Sequence, residues 1–228
     1  MLISALAAQC MKWETSPSAA ELEEMVMNWM RDMTGLPKNF IGVIQDTAST
    51  STLASILTAR EFHSEFSINK KGFSGQERYR VYCSTETHSS IEKAVKIAGI
   101  GRDNLIKIEV DKNFAMIPEK LEEAIKSDVE MGFHPLCVVA AIGTTGSTAV
   151  DPLKAISRLK KEYKFWLHVD AAYLGTALIL PEYKWMLEGI EEADTFVFNP
   201  HKWMFTNFDC SAFFIKDKNA LLNTFEII

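Results

Sequence analysis

The chain has 228 residues, 47% of them hydrophobic, and a formal net charge of −6. That is apolar material for one substantial core, so a single domain over 1–228 is expected, and no clustered basic face of the kind nucleic acid requires stands out. The four cysteines, Cys10, Cys83, Cys137 and Cys210, lie far apart without a CxxC pair, which argues against zinc and a dense disulfide framework and fits a reducing cytoplasm.

The opening "MLISALAAQCMKW" is apolar but lacks a basic leading region and is too short to span a bilayer; it reads as a packed helix rather than a signal or anchor. In "SPSAAELEEMVMNWMRDMTGLP", Leu22, Met25, Val26, Trp29 and Met33 recur at helical spacing, which predicts a helix that Gly35 and Pro37 end. "FIGVIQ" then reads as a strand, and "DTASTSTLASILTAREF" as a helix whose first turn is crowded with small hydroxyl residues. "RYRVYCST" is a strand followed by a helix over "SSIEKAVKIAGIG", with a capping box expected from Ser89 to Glu92.

"NLIKIEV" and "PEKLEEAIKSDVEMG" form a third strand–helix unit, and "PLCVVAAIG" reads as a buried strand. "DPLKAISRLKKEY" is predicted to be a helix capped by Asp151 with Pro152 at its first position, and "FWLHVDAA" another buried strand. The last part reads as a helix over "PEYKWMLEGIEEA", strands over "TFVFNPHKW" and "CSAFFIKD", and the start of a helix at "KNALLNTFEII". Strands alternating with helices predict an α/β fold with a mostly parallel central sheet flanked by helices.

Several chemistries lack their motifs. His63, His88, His134, His168 and His201 include no HExxH or His-x-His pair, "GTTGST" has no P-loop lysine, and no G-x-S-x-G elbow is present. What remains is lysine chemistry. Lys202 follows the hydrophobic run "FVFNP" and so reads as a lysine driven into the interior, which is costly unless it is paired or uncharged. A lysine amine with lowered basicity condenses with a carbonyl, and the main biological use of that is pyridoxal phosphate, whose ring nitrogen needs a carboxylate partner. Asp170, at the end of the strand "FWLHVD", offers one. Thr47, Ala48 and Ser49 open a helix directly after a strand and suit a phosphate, with ordinary N-capping as the alternative. His88 follows "VYCST" and suits either a ring-stacking residue or a helix entry.

"HVDAAY", "NPHKW" and "NFDCS", with "THSS", "GTT" and "TSPSAAELE", resemble the pyridoxal-phosphate-dependent group II decarboxylases, most closely their aromatic-L-amino-acid branch. The motifs run in family order over essentially the whole chain. The resemblance implies the fold type I large domain. It also implies that Lys202 carries the cofactor as a Schiff base, that Asp170 pairs with the ring nitrogen, and that His88 stacks on the ring and touches the substrate carboxylate. Thr47, Ala48, Ser49 and Asn199 would hold the phosphate, Thr145, Ala172 and His201 would line the cofactor, and Phe208 would face the aromatic substrate.

His201 resembles the aromatic branch, whereas the histidine-decarboxylating branch tends to carry serine there. His88 argues against the insect aldehyde-synthase offshoot, which has asparagine. Two residues depart from the family. Asp46 stands where glycine is frequent and would repel a phosphate unless paired or turned outward, and Leu174 stands where a smaller residue is common. The resemblance also implies a homodimer, together with an N-terminal interlocking segment, a mobile loop and a small C-terminal domain that this chain is expected to lack. A binding or dimerising domain without turnover, and another reaction on the same cofactor such as aldehyde synthesis or transamination, stay open as alternatives.

Overall fold

The computed structural model describes residue 10, residues 12–75 and residues 77–226. Most of the predicted N-terminal helix lies outside the described residues. Seven strands, β1 (Ile41–Gln45), β2 (Tyr79–Ser84), β3 (Leu105–Ile108), β4 (His134–Ala141), β5 (Trp166–Asp170), β6 (Thr195–Phe198) and β7 (Ser211–Ile215), form one sheet in the order β1-β7-β6-β5-β4-β2-β3. The pairs β2–β3, β2–β4, β4–β5 and β5–β6 are parallel, and β7 runs antiparallel to both β6 and β1. The sheet is therefore mixed but mostly parallel, as expected.

Apolar residues on both sides of each central strand bury the sheet on both faces. Tyr82, Val138, Leu167, Phe196 and Phe214 share one core with Met27 and Met30 of α1 (Pro17–Thr34), Leu121 and Ile125 of α5 (Pro118–Glu130) and Ile156 of α6 (Leu153–Tyr163). Val81, Cys83, Val139, Trp166, Val197 and Phe213 face the other, with α2 (Ala48–His63), α3 (Ile68–Lys71), α4 (Ser90–Ile97) and α8 (Lys218–Phe225). Phe198 and Phe214 stack with ring centroids 6.4 Å apart. Each such buried ring contributes about 1.5–3 kcal/mol.

Several local expectations are corrected. α1 ends at Gly35, whose left-handed φ of 82° lets its N–H reach the carbonyls of Arg31 and Asp32. Of its predicted apolar stripe only Val26 packs, partly buried, against the core; Leu22, Met25, Trp29 and Met33 are exposed, whereas Met27, Met30 and Thr34 are buried. The Ser89–Glu92 capping box does not form; Ser89 makes no capping bond, and Glu92 pairs with Lys96 and Arg102. Asp151 does not cap α6. It is buried and accepts the N–H groups of Met116 and Ala141, with Pro152 at the cap instead. The helix expected over "PEYKWMLEGIEEA" is two 3₁₀ segments, Pro181–Leu187 and Ile190–Glu192. "TFVFNPHKW" divides into β6 and a short helix, α7 (Pro200–Trp203).

Cys83 and Cys137 are buried in strands as expected, whereas Cys210 is half-buried just before β7. Among the described residues, no helix is long and apolar enough to cross a membrane.

Candidate active site

The site begins with an unusually polar helix–sheet contact. The buried face of α2 carries Ser51, Thr52, Ser55 and Thr58; Thr58 donates to the Ala54 carbonyl within the helix, and the other three hydroxyls are matched to partners on the sheet. Thr52 Oγ1 lies 3.2 Å from His168 Nε2. Ser55 Oγ lies 2.7 Å from Thr195 Oγ1 and accepts from the Trp166 indole at 3.1 Å. Ser51 Oγ lies 3.4 Å from Ser211 Oγ. Small side chains bring the helix close to the sheet, and hydrogen bonds offset the cost of burying them. The cluster of hydroxyls in "DTASTSTLAS" is thus partly a packing device.

α2 consequently aims its first turn at the carboxyl ends of the parallel strands. Thr47 caps it by accepting the N–H of Thr50 at 3.3 Å, and helix geometry leaves the amides of Ala48 and Ser49 without an intrahelical acceptor. There lies a cavity of about 210 Å³, lined by Thr47, Ala48, Ser49, Thr87, His88, Ser90, Ala141, Gly143, Thr144, Thr145, Asp170, Ala172, Tyr173, Asn199, His201, Lys202 and Phe208. Every residue singled out from the sequence as a site residue lines it.

Lys202 does not sit in an apolar interior. It is half-buried on α7 and opens into this cavity, with its Nζ 5.7 Å from the Tyr173 ring centroid. Asp170 ends β5 and accepts the N–H of Ala172 at 3.1 Å. Burial pushes its carboxyl above the usual range, opposed by the Ala172 N–H and by the charges of Lys202 and His88. His88 Nδ1 accepts the N–H of Ser90 at 3.2 Å.

His201 Nδ1 accepts the N–H of Cys210 at 2.9 Å, so the neutral ring carries its proton on Nε2. Burial, then the nearby Lys202 charge, lower the basicity of that ring. The contact pins the loop that carries Phe208, whose exposed ring lies 4.4 Å from the His201 ring.

Both departures from the family pattern have a structural outcome. Asp46 is exposed and accepts the N–H of Thr47 at 2.8 Å; it lines a separate apolar groove with Val43 and Leu221, not this cavity. Leu174 packs on Gly143 so closely that a Cβ there would lie 2.3 Å from Leu174 Cγ. Sequence reasoning missed Thr87, Ser90, Ala141, Gly143, Thr144 and Tyr173 as lining residues. Tyr173 stood inside the quoted "HVDAAY", but nothing in its neighbours' spacing gave it a direction.

One buried polar atom of the cavity has no partner, the Oδ1 of Asn199. An amide's O and N are interchangeable by rotation, so this group suits a ligand oxygen as well as a donor. A lysine and a carboxylate opening into one cavity, beside an open helix N-terminus and an unpartnered amide, fit pyridoxal phosphate in charge and in donor type.

Fold and cavity together define the fold type I pyridoxal-phosphate class. The chain matches the pyridoxal-dependent decarboxylase conserved domain over residues 1–228, and it belongs to that family. It is 42% identical to tryptophan decarboxylase 2 of Oryza sativa subsp. japonica over 98% of this chain and 46% of that protein. It is equally 42% identical to phenylacetaldehyde synthase of Arabidopsis thaliana, over 97% of this chain and 46% of that protein. The structure of Oryza sativa TDC with PLP and tryptamine superposes with a TM-score of 0.94 at 33% identity, covering 100% of this chain and 48% of that one. The chain thus spans about half the length of the relatives it matches.

Proposed function

We propose that this chain is the cofactor-binding large domain of an enzyme that converts an aromatic L-amino acid to its amine and carbon dioxide. The observation that carries the reading is the opening of Asp170, from the end of β5, and Lys202, from α7 just beyond the neighbouring β6, into one cavity under the α2 N-terminus. In this reading the amides of Ala48 and Ser49, with Thr47 and Asn199, would hold the phosphate, and the Lys202 amine would hold the cofactor at its aldehyde end. Thr145, Ala172 and His201 line the bound group. Pyridoxal phosphate, when bound, supplies an electron sink for the pair left when a bond to the substrate Cα breaks. Asp170 would favour a proton on the ring nitrogen by its negative charge, and His88 would line the bound ring and meet the substrate carboxylate. Phe208 offers its exposed ring to the aromatic side chain.

The intact protein is read as a cytoplasmic homodimer, and its aromatic substrate is supported by the tryptophan decarboxylase relative. A second reading, aldehyde synthesis, is favoured by the equal identity to a phenylacetaldehyde synthase. His88 and the simple decarboxylases among the relatives support the first.

Two measurements on the intact gene product test this. Borohydride reduction in the presence of pyridoxal phosphate, followed by peptide mapping, should label Lys202, and Lys202→Ala should abolish the label. Label on another lysine would remove the assignment. With aromatic amino acids, product analysis should find amine and carbon dioxide; aldehyde and ammonia with consumption of dioxygen would establish the second reading instead.

A further inference from the structure

The active-site cavity contains an aromatic ring with no part in the reading above. Tyr173 lines it two residues beyond Ala171, where the chain leaves β5, and the ammonium of Lys202 lies 5.7 Å from its centroid. The ring also meets Trp203, nearly perpendicular to it with centroids 5.4 Å apart. Tyr173 and Lys202 face the active-site cavity, whereas their chain neighbours Leu174 and Trp203 line a separate apolar pocket with Leu180 and Tyr183. Two adjacent pairs thus form a wall with a polar side and an apolar side, and the aromatic contact joins the two segments across it.

We propose that Tyr173 is a positioning residue for the Lys202 amine: its ring face holds Nζ over the cavity and favours the cationic form of that nitrogen. The physical basis is the attraction between a cation and the negative face of an aromatic ring, effective within about 6 Å and stronger where water is excluded. The other charged or titratable groups facing Lys202 are Asp170 from the end of β5, His88 from the segment after β2, and His201 on α7 itself. The carboxylate pulls in the same direction as the ring, and a cationic His88 or His201 would oppose it. The tyrosine is a neutral contributor that needs no charge of its own. It also gives Trp203 a purpose, since an edge-on partner fixes the plane that the ammonium meets.

The proposal rests on Lys202 being the reactive amine, but its test does not require the cofactor. In the intact gene product without pyridoxal phosphate, the rate at which Lys202 is acetylated by a trace reagent is read by peptide mass spectrometry, with distant lysines as internal standards. Only the neutral amine reacts, so Tyr173→Leu should raise the rate about two- to five-fold near pH 7.5, the range that exposed cation–π energies convert to. Tyr173→Phe, which keeps the ring, should match the wild type, and Trp203→Leu should fall between. The ratio should decline only above about pH 10.4, the ordinary lysine value, and approach one by about pH 12, where the amine is deprotonated with or without the ring.

A ratio that stays constant with pH would mean that the ring merely blocks access, and it would overturn the proposal. So would an unchanged rate in Tyr173→Leu, or a Tyr173→Phe variant behaving like the leucine. Failure of the wider functional reading would show differently, as absence of reducible cofactor on Lys202 with these rates unaffected.

Discussion

Nε2 of His168 lies 3.2 Å from Oγ1 of Thr52, at a point where both side chains are fully buried. The contact ties β5, which ends in Asp170, to the second turn of α2, whose first turn faces the cavity. Fold and site therefore meet in this hydrogen bond, beside the Trp166–Ser55 contact from the same strand. Thr52→Val keeps the shape but leaves His168 Nε2 without a partner, and we expect it to cost about 1–3 kcal/mol in urea denaturation. Pyridoxal phosphate should also bind more weakly by fluorescence titration, because Ser49 lies one turn before Thr52 on the same helix. Unchanged stability and affinity would show that this contact positions nothing.

The same histidine makes stability depend on pH. Burial pushes its pKa down to about 3, whereas an unfolded histidine titrates near 6.5, so between these values the unfolded chain binds a proton that the native protein refuses. Its contribution is present above about pH 6.5 and is lost as the pH falls toward about 3, by up to about 1.4 kcal/mol per pH unit. Asp151, pushed up to about 6 by burial, acts in the opposite sense over an overlapping range. Comparing wild type with His168→Gln cancels that background. The stability advantage of the wild type over the variant should shrink on acidification through this window; an advantage independent of pH would mean that His168 is not held neutral.

How much of this was legible beforehand depends on what sets each feature. The parallel strands, apolar on both faces, and the helices between them follow from local pattern, and "HVDAAY" carried Asp170 to a strand end correctly, whereas Lys202 of "NPHKW" lies on α7, past the end of β6. Direction was harder to read. Leu22, Met25, Trp29 and Met33 have the spacing of a core face yet are exposed, because α1 has a second apolar face, Met27 and Met30, that meets the sheet. Periodicity reveals a stripe but not what covers it. Asp151 and Ser89 carried the residue types of helix caps. The buried amides of Met116 and Ala141, far away in sequence, claimed Asp151 instead, a competition no local window contains.

The contact between Gly143 and Leu174 is an example of two distant residues specifying one another. Gly143 has φ 84°, and a Cβ on it would lie 2.3 Å from Leu174 Cγ. Gly143→Ala should therefore destabilise the protein by about 2–4 kcal/mol, combining backbone strain with overpacking. Leu174→Ala in the same chain removes the Cγ and Cδ1 contacts but keeps the Leu174 Cβ, 2.7 Å from the new Cβ, so it relieves part of the packing clash and the double variant should be more stable than the two single losses predict by about 1 kcal/mol. Strict additivity in a double-mutant cycle would show that the side chain at 174 does not restrict residue 143.

The role proposed for Asp170 rests on its charge more than its shape, and the two can be separated. Asparagine retains an oxygen for the Ala172 N–H, which Asp170 now accepts at 3.1 Å, so Asp170→Asn should fold and still allow Lys202 to be labelled by borohydride in the presence of pyridoxal phosphate. It cannot hold a proton on the ring nitrogen by negative charge, and without that proton the ring withdraws electrons poorly. Carbon dioxide release from an aromatic amino acid should fall at least about 100-fold, the scale on which loss of one fixed electrostatic partner is felt in other enzymes. The neutral amide also removes the carboxylate that favours the Lys202 ammonium, so acetylation of that amine without cofactor should quicken as well. Turnover retained within a few-fold, with labelling intact, would place the proton's partner elsewhere in the cavity and leave Asp170 with only its backbone contact.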